Sequence, residues 1–145
     1  QFPNAVIHVI NGVVSVQDLS RLAGHNLKVL ILGYKHLRRG ESYYEQNDES
    51  VNALQEDLDK YLFPEIINNG WFKVVSFDNL AIKQLNVQSH LSEEQWEEFY
   101  MGDDGNYTFY IDMVDGTFGK NSLATERYPI MDSIDEMFQK ILNEG

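Results

Sequence analysis

Three apolar runs, each halted by small or polar residues and each followed by a helix-forming stretch, constrain this chain more than any other feature. Residues 5–10 (AVIHVI) form an apolar run rich in β-branched residues, interrupted only by His8, and stop at Asn11-Gly12. Residues 27–32 (LKVLIL) place five apolar side chains around Lys28 and stop at Gly33. Residues 72–77 (FKVVSF) stop at Asp78-Asn79. Short apolar runs bounded by turn signals read as buried strands. Between the first two, Ser15 opens a capping-box pair with Asp18, and Val16, Leu19 and Leu22 follow at helical spacing before Gly24. A strand, helix and strand in so few residues predict a parallel βαβ unit. The whole predicts an α/β fold with a mostly parallel sheet and crossover helices, its three strands adjacent and mostly buried.

The remaining chain reads less regularly. Residues 34–44 read as a loop holding Lys35, His36, Arg38 and Arg39, the one basic cluster of the sequence. Residues 48–69 carry Val51, Leu54, Leu58, Tyr61 and Leu62 three or four apart, which predicts a long helix disturbed at Pro64 and ended by Asn69-Gly70. Asp78-Asn79 caps a helical turn through Ala81 and Leu85, and Ser92 to Gln95 begin a helix with Trp96, Phe99 and Tyr100. After a turn at Asp103 to Asn106, residues 107–114 alternate as a strand with a hairpin partner at Thr117-Phe118. Asp132 or Ser133 caps a final amphipathic helix through Ile134, Met137, Phe138, Ile141 and Leu142. No internal repeat or linker interrupts the 145 residues, so a single domain is expected.

Charge and composition exclude several classes. Eleven Lys and Arg stand against 23 Asp and Glu, a net charge of −12 that repels polyphosphate and anionic lipid, so general nucleic-acid binding and membrane binding are not expected. No apolar run approaches the roughly 18–20 residues of a membrane span. There is no cysteine, which removes thiolate chemistry and fits a cytoplasmic protein. The opening QFPNAVIHVINGVV lacks a basic leader and enters an apolar segment at once, so Gln1 reads as a start inside a fold. Gly-x-Ser-x-Gly, Walker and Gly-x-Gly-x-x-Gly patterns are absent.

Chemistry is expected at the strand ends, because loops leaving the C-terminal ends of parallel strands share one rim. Asn11, Gly12, Gly33, Tyr34, Lys35, Asp78 and Asn79 would stand there; the plainer reading makes them turn formers and caps. His8, His25, His36 and His90 lack zinc-helix spacing, so no metal site is expected, and His8 reads as a core or rim residue. Asp112 reads first as solvent-exposed and second as a site residue. The basic loop reads equally as an anion seat or as partners for surface carboxylates.

The segments KVLILGYKHLRRG, FKVVSFDNLAIKQLNV, SEEQWEEFYMGDDGNYTFYIDMV and NSLATERYPIMDSIDEMF, in this order and over nearly the whole chain, resemble the C-terminal half of radical SAM proteins from phages and anaerobic bacteria. The resemblance implies part of a partial (β/α) barrel. In that family a Cys-x-x-x-Cys-x-x-Cys loop, absent here, holds a [4Fe–4S] cluster, and later strands complete the S-adenosylmethionine pocket. It implies cofactor contacts at Asn11, Gly12, Gly33, Tyr34 and Lys35 and substrate contacts at Asp78 and Asn79. This chain alone would bind no cluster and be inactive, and would need the other half of the barrel, or self-association through an exposed sheet edge. The alternative expectation is an acidic binding protein, of immunity or phage-inhibitor type, that masks a basic partner.

Overall fold

Strands form where the apolar runs predict them: β1 (Ile7–Ile10), β2 (Lys28–Leu32) and β3 (Val74–Phe77) in the computed structural model, which describes residues 4–143. They pair in the order β1-β2-β3, both pairs parallel as expected. Phe72 stands outside β3 and is buried just before it. The chain divides into two compact units, one ending at Glu94 and the other beginning at Gln95.

In the first unit the crossovers follow their local signals. Helix α1 (Val16–Leu22) opens with the predicted capping box: the Asp18 N–H donates to Ser15 Oγ at 3.0 Å, and the Asp18 carboxylate accepts from Ser15 in return. Helix α2 (Arg39–Tyr61) begins well before the expected position 48, so much of the expected loop 34–44 is helical. Asn47 explains the difference, since its φ of −139° breaks the helix just before Asp48 and its side chain bonds the Tyr43 carbonyl at 2.9 Å. Pro64 has no N–H to donate, and the chain widens there into a π-helical turn over Leu62–Ile67. Asp78 caps α3 (Asn79–Gln84), a 3-10 turn follows at Val87–His90, and α4 is Glu93–Phe99.

All the crossover helices lie against one face of the sheet. Leu19 of α1, Leu58 of α2, Leu62 and Ile66 of the π turn, and Ala81 and Leu85 of α3 and its cap form one buried cluster with Val29 and Ile31. The strand residues packed against it are Ile7, Val9, Val75 and Phe77, all in register with Val29 and Ile31. The opposite face presents His8, Ile10, Lys28, Leu30, Leu32, Val74 and Ser76. Here Ile10 is 40 % exposed and Val74 41 %, and His8 and Ser76 are exposed as well. The expectation of mostly buried strands is thus corrected: burial is complete only at Val29 and Ile31, because strands added in sequential order place successive crossovers on the same side. His8 belongs to the open face, so it is not a core histidine.

The second unit is a small antiparallel sheet, β4 (Tyr110–Asp112), β5 (Thr117–Gly119) and β6 (Tyr128–Pro129), with α5 (Ile134–Leu142). Phe118, Met137 and Ile141 form its core, flanked by Phe109, Ile111 and Tyr128. Ser133 caps α5, as expected. The expected strand 107–114 contracts to three residues because the chain turns directly after Asp112. That turn also corrects the reading of Asp112 as exposed: it is 7 % exposed, and its Oδ1 accepts the Val114 and Asp115 N–H groups at 3.0 and 3.2 Å. No helix among the described residues is long and apolar enough to cross a membrane.

Candidate functional site

The C-terminal ends of β1, β2 and β3 bring together the residues expected at the rim, and Asn11, Gly12, Gly33, Tyr34 and Asp78 among them are held by packing or hydrogen bonds within the chain. The Gly33 N–H donates to Asp78 Oδ1 at 2.9 Å, and the same oxygen accepts the Ala81 N–H at 2.7 Å. One carboxylate oxygen therefore caps α3 and ties it to the end of β2. A Cβ at Gly33 would stand 2.7 Å from the Ala81 nitrogen, and one at Gly12, where φ is +97°, would stand 2.8 Å from Val51 Cγ1. Both glycines are required by close helix approach. Asn79 is the first residue of α3, and Lys35 is exposed on the loop that leaves β2.

Gln84 holds this rim together, although no motif or spacing marks it. Its Oε1 accepts the Tyr34 N–H at 2.9 Å while its Nε2 donates to the Tyr34 carbonyl at 2.9 Å, as a neighbouring strand would. Because Tyr34 fixes which end of the Gln84 amide is oxygen, the Asn11 side chain must present its Nδ2, which donates to Gln84 Oε1 at 3.2 Å. Asn11 is 1 % exposed, and its Oδ1 has no hydrogen-bond partner among the described residues. The Gln55 amide reaches the Asn11 carbonyl from α2 at 3.5 Å. The only mark Gln84 carries in sequence is its position three residues after the buried Ala81 on a short capped helix.

Tyr34 is buried, and its hydroxyl donates to the Gly40 carbonyl at 2.7 Å. Burial raises its pKa above the ordinary tyrosine value, with Tyr43 and Tyr44 adding to the shift. Its ring meets His36 edge-on with centroids 5.1 Å apart, and His36 meets Tyr44 at 4.4 Å. No group of three or more His, Asp or Glu that could hold a metal ion occurs among the described residues.

The rim bonds already occupy several backbone groups at the strand ends. The Gly33 and Tyr34 N–H groups and the Tyr34 carbonyl are already engaged by Asp78 and Gln84. Asn11 Oδ1 remains a buried acceptor without a partner among the described residues. The chain has no cysteine, so its residues do not fit an iron–sulfur cluster. No family model, no curated protein and no solved structure matches this chain.

Proposed function

We propose that this chain is the C-terminal, cluster-free part of a radical SAM enzyme and forms one wall of its S-adenosylmethionine and substrate pocket. The observation that carries the reading is the one-sided sheet: the helices cover one face, and the face they leave open is apolar at Ile10, Leu30, Leu32 and Val74. A (β/α) barrel has this arrangement, with helices outside and a filled interior. β1 and β3 each pair only with β2 among the described residues, so both edges of the sheet accept further strands.

In this reading Asn11 Oδ1 accepts a hydrogen bond from the adenine amine, and Gly12 lets the chain pass close under it. Gln84 and Asp78 orient the strand ends and do not touch the cofactor. Lys35 and Asn79 face the substrate side of the rim. When bound beside a reduced cluster, S-adenosylmethionine supplies the one-electron cleavage chemistry; cluster ligands come from outside these residues. The test is a titration of the chain with S-adenosylmethionine followed by amide NMR. The expected result is saturable shifts at residues 11–13 that Asn11→Ala removes. Shifts absent at this rim, or unaltered in Asn11→Ala, sink the reading.

The second unit supports the other expectation, an acidic binding protein. Residues 95–145 carry eleven Asp and Glu against three Lys and Arg. Of the sixteen large apolar side chains exposed among the described residues, ten lie in this unit, Met113 at 80 % and Val114 at 85 % among them. Acidic surface with exposed apolar side chains suits a basic protein partner. A salt-sensitive complex with such a partner, lost on Val114→Asp while the S-adenosylmethionine titration shows no binding, would favour this reading over the first.

A further inference from the structure

The hairpin turn between β4 and β5 holds apolar side chains where turn chemistry asks for none. Residues 113–116 connect the strands, and Met113 and Val114 are 80 % and 85 % exposed, the highest values of any large apolar side chains among the described residues. Turns favour Gly, Asn, Asp, Ser and Pro, each for a backbone reason that neither Met nor Val meets. Large apolar side chains left in water together mark interaction surfaces.

The turn is also fixed. The buried Asp112 carboxylate accepts the Val114 and Asp115 N–H groups at 3.0 and 3.2 Å, and Gly116 bends the chain at a φ of +64°. The Ile130 N–H donates to the Gly116 carbonyl at 3.0 Å, which brings the end of β6 beside the turn. Ile130 is 38 % exposed and Met131 37 %, so the turn and the strand end present four apolar side chains on one ordered backbone. A backbone held in this way loses little conformational freedom when a partner binds.

We propose that Met113, Val114, Ile130 and Met131 dock a basic segment of a partner protein, one whose apolar side chains are interspersed with Lys or Arg. Charge selects this occupant. Residues 110–117 and 128–139 hold five carboxylates, Asp112, Asp115, Asp132, Asp135 and Glu136, and no Lys or Arg. All of them except Asp112 are exposed. They attract cations and repel both an anionic lipid surface and a second copy of a chain whose net charge is −12. The apolar side chains supply buried area, and the carboxylates around them fix which segments approach. The inference rests on the reading of the chain as an acidic binding protein, names its docking surface and the class of segment it takes, and does not involve the strand-end rim.

The experiment is a titration of the 145-residue chain with a short synthetic peptide of alternating Lys and Leu, followed by amide NMR at low and high salt. Saturable shifts centred on residues 113–116 and 130–131, weakened by salt, are expected. A peptide with Ser in place of Leu should bind about tenfold more weakly or worse, the factor that burying one large apolar side chain contributes. A Met113→Ser, Val114→Ser double variant should lose the Lys/Leu peptide by a similar factor with its peak dispersion retained, because both side chains are mostly in water. Tyr107→Ser, at a position 73 % exposed elsewhere in the same unit, should leave the affinity unchanged. Equal affinity for the Ser peptide would overturn the proposal, and so would shifts at these residues with phosphatidylcholine vesicles or with rising chain concentration alone, which would assign the patch to lipid or to a second copy. Salt-sensitive peptide binding that shifts other acidic residues and survives the double variant would overturn this surface and leave the acidic binding reading standing. No salt-sensitive binding anywhere on the chain would overturn both.

Discussion

The two units expose apolar surface in different ways. The unit ending at Glu94 buries a cluster of ten apolar residues under its sheet and leaves Ile10 and Val74 open on the other sheet face, in strand register, while Val13, Leu37 and Tyr43 are exposed away from the sheet. The unit beginning at Gln95 buries three residues around short strands and exposes Met113 and Val114 at the hairpin turn, with Met101, Tyr107 and Ile134 elsewhere. Regular open surface on a sheet suits further secondary structure, since it continues an existing layer. Irregular apolar points amid carboxylates suit a protein surface that reads them one by one. The same chain thus carries one face that looks unfinished as a fold and one that looks available for recognition.

The largest effects should come from breaking each core. Leu58 is 0 % exposed on α2, so Leu58→Ala should cost about 2–5 kcal/mol, and Phe118→Ala about 3–5 kcal/mol. The comparison predicts separate consequences, because the two clusters share no residue. Hydrogen exchange should show that Phe118→Ala opens β4 and β5 while the amides of β2 stay protected. Loss of protection in both units from either change would mean one cooperative fold.

How much of this was legible in the sequence depended on periodicity. The three parallel strands were legible because short apolar runs ending in Gly, Asn or Asp have few other solutions. The one-sidedness of the sheet was not, since Ile10, Leu30 and Val74 on the open face are as apolar as Val9, Ile31 and Val75 on the covered one. The start of α2 was hidden because residues 39–47 lack an apolar period and Asn47 breaks the helix just where the period begins. Asp112 was misread because alternation was carried past it into a turn that its own carboxylate closes. At the rim, turn chemistry pointed to Asn11, Gly12, Gly33, Asp78 and Asn79, but Gln84 looks like any helical glutamine.

A smaller effect sharpens the comparison at that rim. Gln84→Ala removes the acceptor and donor that engage both Tyr34 backbone groups and the partner of Asn11, and should cost about 2 kcal/mol. The readout that separates ordering from simple stability is local: faster exchange at the Tyr34 amide, with the Val29 and Ile31 amides still protected. If exchange at Tyr34 is unchanged, the amide clamp does not hold the rim, and its order belongs to the core beneath it.

The smallest expected effect tests the acidic unit through a single phenol. The Tyr100 hydroxyl donates to Asp103 at 2.6 Å, and its ring stacks on Trp96 with centroids 4.2 Å apart. The bond to Asp103 first, then burial, then the charges of Asp103 and Asp104 push its pKa up to about 12 from the model-compound value of 10.0. A phenol whose pKa rises on folding contributes stability that is fully present below the unfolded value and is lost as pH rises through the folded one. The advantage of the native chain over Tyr100→Phe should therefore be constant below pH 10.0 and shrink toward pH 12. Denaturant unfolding of both chains across that window measures it, and a near-ultraviolet titration of the folded native chain should show one tyrosine ionising late that the variant lacks. A constant difference through the whole window would mean that the Asp103 bond is no stronger than the phenol's bond to water, and that the acidic unit tolerates one more negative charge there.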